Sequence, residues 1–132
     1  MIKQPARFYT AISGIFLLLQ GISTLAFRLY PPLDQAFPAL LATTHMIPIH
    51  STVHIMTGFL AVTILYRRKE REAFWFALGF GLFYLSLGLA GILSGQPLGL
   101  GLQSFDHPIH LALGVAGIFG AYLSNHTRKV VS

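Results

Sequence analysis

The sequence predicts an all-α integral membrane protein with four transmembrane helices, and three observations carry that prediction. Of its 132 residues, 54% are hydrophobic and 10% charged, too few charges to cover the surface of a soluble domain this small. Four apolar segments approach the length that crosses a bilayer as a helix, about 20 residues. Eight of the nine Lys and Arg residues (Lys3, Arg7, Arg67, Arg68, Lys69, Arg71, Arg128 and Lys129) fall at one end of those segments, leaving Arg28 at the other. A net charge of +5 would suggest nucleic acid in a soluble chain. Here it reads as a topology signal, and no nucleic-acid partner is expected.

The first span runs from Phe8 to Phe27. Lys3 and Arg7 ahead of it mimic the start of a signal peptide, but the apolar run exceeds an h-region and is expected to be retained as a span. The outer loop from Arg28 to Pro48 holds Pro31, Pro32, Pro38 and Pro48, and its apolar stretch Ala36 to Met46 predicts a short helix lying in the interface. The second span, Ile49 to Tyr66, and the third, Ala73 to Leu93, are joined by 67-RRKERE-72, a tight hairpin that makes them antiparallel neighbours. The connection 94-SGQPLGLGLQSFD-106 is Gly-rich and expected to be irregular, and Pro108 to Ser124 is the fourth span. Phe8, Tyr9, Phe27, Tyr30, Tyr66, Phe74, Trp75 and Phe76 cluster at span ends, as interface anchors do. The positive-inside rule places both termini and the hairpin in the cytoplasm, in an inner, plasma or thylakoid membrane.

The spans repeat. Gly14, Phe16 and Gly21 of the first match Gly81, Phe83 and Gly88 of the third at constant offset, and His54 and Gly58 of the second match His110 and Gly114 of the fourth. Two helix pairs that start from the same side form a parallel repeat about an axis along the membrane normal. Gly79 and Gly81, with Gly88 and Gly91, are expected to let helices approach closely.

Without cysteine, ligand chemistry falls to His, Asp, Glu and hydroxyls. His45, His50, His54, His107 and His110 gather with Asp106 at the outer ends of the second and fourth spans. Residues four apart share a helix side, so His50 aligns with His54, and Asp106 with His110. Three readings follow. The cluster is a polar clasp between the repeats, with Asp106 or an imidazole as acceptor. Alternatively, His54 and His110 are axial ligands of haem b, or one of them holds chlorophyll. Lastly, His50, His54, Asp106 and His110 form a nitrogen and oxygen set for zinc, copper or iron. Ser51, Thr52 and Ser104 read as caps or back-bonded hydroxyls, and Glu70 and Glu72 as part of a solvated, salt-bridged turn.

The elements 50-HSTVHIMTG-58 and 106-DHPIHLALG-114, the Gly-containing spans before each and the basic hairpin between them resemble a family of small bacterial and archaeal membrane proteins. That family is catalogued as domain of unknown function 4383, and the resemblance covers nearly the whole chain. The chain departs from the family's usual form at His107-Pro108 and in its Pro-rich first outer loop. The resemblance implies a four-span fold with His50, His54, Asp106 and His110 as its distinctive polar set, and brings no activity with it. The functional expectation is a non-enzymatic accessory subunit or homo-oligomer, with electron transfer through haem or chlorophyll as the alternative and a proton or ion relay as a second.

Overall fold

The computed structural model describes residues 4–38, 47–94 and 97–131, with Pro97 and residues 127–131 described by their backbone alone. The described residues are helical, with no strand among them. Helix α1 is Pro5–Leu29, the short α2 is Pro31–Ala36, α3 is Pro48–Arg67, α4 is Glu70–Ser94 and α5 is Asp106–Val131. α1, α2 and α3 each begin on proline, whose fixed φ and missing N–H suit a first helical position. α3 ends where Arg68 turns left-handed at φ 57°. α4 starts two residues later, so the expected hairpin is formed. Arg67 and Lys69 pair with Glu72 at 3.3 and 3.6 Å, and Gln4 bonds Glu70, as expected of a solvated turn.

α1, α3 and α4 are long and apolar enough to cross a membrane, consistent with an all-α membrane class. α5, at 26 residues, is the longest helix but is polar at both ends. The predicted interfacial helix from Ala36 to Met46 falls largely, and His45 wholly, outside the described residues. The helix observed in that loop, α2, lies just before it and buries none of its residues.

Packing is inside out relative to a soluble bundle. Large side chains such as Leu19, Phe59, Val115 and Phe119 point outward, exposed by more than half. The buried face of α1 is instead Ala6, Tyr9, Thr10, Ser13, Gly14, Leu17, Gly21 and Thr24. Small residues at this spacing let backbones come together where lipid offers no hydrophobic drive. Thr10 and Ser13 return their hydroxyls to the carbonyls of Ala6 and Tyr9, each at 2.8 Å, so neither is left unpaired.

The tightest packing joins α1 to α3 and α4 to α5, while the hairpin partners α3 and α4 touch sparsely. The same contacts recur in both tight pairs. A Cβ on Gly14 would lie 2.5 Å from Ala61 Cβ and 3.6 Å from the Gly58 carbonyl oxygen. One on Gly81 would lie 2.9 Å from the Gly114 carbonyl oxygen and 3.0 Å from Gly117. Gly21 faces Ile55 as Gly88 faces Leu111, and Gly58 faces Leu18 as Gly114 faces Leu85. Each partner in α4 is 67 residues beyond its counterpart in α1, and each in α5 is 56 beyond its counterpart in α3.

Three sequence expectations are corrected. Gly79 is no packing position, since a Cβ there would meet nothing within 4 Å; only one of two residues two apart on a helix faces a given neighbour. Tyr9 and Phe76 are buried rather than set at an interface. The Tyr9 hydroxyl donates to the Leu113 carbonyl at 2.9 Å, and Phe76 stacks on Phe80 at 5.0 Å.

The basic ends are tied together. The Ser124 hydroxyl accepts the Ala6 N–H at 2.8 Å, satisfying a donor that helix α1 leaves open in its first turn, and Arg7 donates to the Leu65 carbonyl at 3.3 Å. At the opposite end the Gly-rich connection forms a short 3₁₀ turn, Pro97–Gly99. Leu98, Gly99 and Gly101 have positive φ, turning the chain back so that Leu100 and Leu102 bury against Leu87.

Candidate functional site: a buried histidine cluster

Opposite the basic end, α3 contributes His50 and His54 from successive turns, and α5 contributes His110. The backbones of α3 and α5 stand apart across the bundle, and the imidazoles bridge the space between them. The His50 ring is 4.5 Å from His54 and 6.2 Å from His110, edge-on to each. Exposure is 2% for His50, 3% for His54 and 2% for His110. One ring nitrogen from each lies within 4.8 Å of the other two.

Three of the four residues of the expected metal set thus converge. The fourth, Asp106, is committed locally: its Oδ2 accepts the Gln103 N–H at 2.7 Å, while its own N–H donates to the Gln103 carbonyl at 2.9 Å. These two bonds close the turn that launches α5, and a carboxylate in the first turn also suits the helix dipole. His107 packs on Gly91, where even a methyl group would intrude on its ring.

Among the described residues no hydrogen bond joins these histidines. Both ring nitrogens of His54 are buried and without a hydrogen-bond partner among them, as is Nδ1 of His50 and of His110. Burying a polar group unpaired costs ~1–3 kcal/mol judged from mutational data. The close approach of the three rings would allow one ion to reach a nitrogen of each. Metal–nitrogen bonds of about 2.0–2.1 Å would bring the donor atoms to roughly 3.5 Å from one another, a small contraction.

No family model, curated protein or solved structure matches the chain. The site is therefore read from its own chemistry.

Sequence reasoning missed two features. Tyr84, 2% exposed, sets its ring edge-on to His110 at 4.9 Å. It tops a column with Phe80, 4.3 Å away, and Phe76, which closes the site toward the basic end with aromatic rings. The signal was present as aromatics at i, i+4 and i+8 of the third span. The second is a hydroxyl pair beside the site, Thr24 Oγ1 to Ser51 Oγ at 2.9 Å. By the two offsets it corresponds to Gly91 and His107.

Proposed function

We propose that this chain is a non-enzymatic membrane protein in which His50, His54 and His110 hold a transition-metal ion that locks two helix pairs together. The observation that carries this reading is His54, buried with both nitrogens unpaired inside a three-histidine set. A metal ion supplies partners that the fold does not, and neutral imidazole suits zinc, copper or iron. An ion fits better than a macrocycle. Haem or chlorophyll on His54 or His110 would need the space beside them that the His50 ring fills.

The architecture proposed is four spans in two parallel repeats, with α5 as the fourth. In support, α5 packs along α4 through the same glycine contacts that join α1 to α3, and it turns Val115, Phe119 and Tyr122 outward. The termini and hairpin lie in the cytoplasm, because the basic residues collect there. Membership of the family of domain of unknown function 4383 is proposed on the resemblance of the two histidine elements, 50-HSTVHIMTG-58 and 106-DHPIHLALG-114, to that family's pattern. The large apolar side chains turned outward, such as Phe59 and Phe119, leave room for helix partners, in support of an accessory subunit or homo-oligomer, and a monomer on size-exclusion in mild detergent would count against the homo-oligomer.

Elemental analysis of gently solubilised protein is expected to give one transition-metal ion per chain, lost in His54→Ala and His110→Ala. A metal-free wild-type chain that stays metal-free after dialysis against metal would sink the reading, and a Soret band would redirect it to haem. Orientation is checked separately. The cysteine-free chain allows single probes, and Lys69→Cys is expected to resist an impermeant thiol reagent in intact cells while Phe105→Cys reacts. The reverse pattern would invert the topology.

A further inference from the structure

We infer that the ion held by His50, His54 and His110 is monovalent copper, an assignment that rests on the metal-binding reading above and names its cargo. Three features of the site select it. The donors are three neutral imidazoles, and among the described residues no carboxylate joins them, since Asp106 Oδ2 is taken up by the Gln103 N–H. Asp106, 5% exposed, lies close enough to act electrostatically on His50 and His110 and supplies one negative charge, so a divalent ion would leave one positive charge uncompensated among ligands 2–3% exposed, and a monovalent ion none. Charge burial in low dielectric is the dominant cost, so the lower charge wins.

Coordination number points the same way. Zinc takes four ligands and fills an incomplete protein set with water. Here the set is walled by Tyr84 on one side and lies between helices whose outer surfaces are apolar. A d¹⁰ monovalent ion is content with three nitrogens in a plane and needs neither water nor anion. Cupric ion combines both objections, since it is divalent and prefers a tetragonal arrangement that two residues on successive turns of one helix and one from another helix do not present.

Sulfur, the usual companion of monovalent copper, is not needed. The chain has no cysteine, and Met56, the methionine among the described residues, is 68% exposed on α3. From the described residues the bound ion would therefore take nitrogen alone. This is an unusual signature for a cuprous site.

The test uses the full chain in detergent, stripped of metal. It is titrated anaerobically with ascorbate-reduced copper against a cuprous chelator, and separately with zinc against a zinc chelator. The expected result is one cuprous ion per chain, bound on the order of 100-fold more tightly than zinc. X-ray absorption is expected to show three nitrogen neighbours and no sulfur. Zinc bound as tightly as copper, or a four-coordinate shell with oxygen, would overturn the copper assignment and leave the metal site standing. Binding of neither metal by folded wild-type protein would overturn both. His54→Asn, similar in polarity and checked for folding by circular dichroism, is expected to lose cuprous binding by at least the same factor; unchanged affinity would place the ion elsewhere.

Discussion

Gly114→Leu is expected to abolish the native fold, whereas Gly79→Ala, in a neighbouring helix, is expected to stabilise it. At Gly114 a Cβ would stand 2.5 Å from the backbone nitrogen of Leu85 and 2.7 Å from its Cα. Backbone cannot swing aside as a side chain can, so α4 and α5 must separate, losing the close packing that holds membrane helices together. The cost is about 3 kcal/mol or more, at or beyond the upper range for overpacking a well-packed core. At Gly79 nothing lies within 4 Å, and the substitution gains ~0.5–1 kcal/mol of helix propensity. Unfolding midpoints in detergent, followed by circular dichroism, would separate the two. A Gly114→Leu protein that melts like wild type would mean that α4 and α5 are not in the contact described.

His54→Leu is expected to have opposite effects in the two metal states. Without metal, the change replaces an imidazole with two unpaired nitrogens by an apolar group of similar size, and stability rises by ~1–3 kcal/mol. With metal the ranking reverses, because wild type gains RT ln(1 + [L]/Kd), about 4.1 kcal/mol at a thousandfold excess over Kd, and the variant gains little. The pair of melting curves, each with and without metal, checks this. A metal-free variant less stable than metal-free wild type would show that His54 has a partner in the folded chain, restoring the polar clasp.

How far the sequence foretold this depends on which physical signal each feature leaves. α1, α3 and α4 were legible because hydropathy over some twenty residues is insensitive to local detail. The glycine contacts were legible through the repeat, since Gly14 and Gly81 lie at matched positions and face matched partners. Helix phase was not legible. In a segment apolar all round, periodicity cannot say which side faces protein, so Gly79 and Gly81 looked alike, and Tyr9 and Phe76 were read as anchors by their position in the chain. The site was partly legible. His50, His54 and His110 come together as i, i+4 spacing and the repeat required. Asp106, expected beside them, acts on His50 and His110 through its charge, while the bond of its Oδ2 to the Gln103 N–H was not legible, because that connection has no period to read. Tyr84 was hidden because its counterpart in the first span is Leu17, so the repeat did not draw attention to it.

Beside the site, the two tightly packed helix pairs fill one space in different ways. One space between helices is filled by Thr24 with Ser51 in the first pair, and by Gly91 with His107 in the second. The two fillings divide the space differently between the helices, and they cannot be mixed. A threonine at 91 would collide with the imidazole, and a histidine at 51 would collide with Thr24. At these four positions the room a side chain takes on one helix is set by what the facing helix leaves, so a change on one side requires a compensating change on the other.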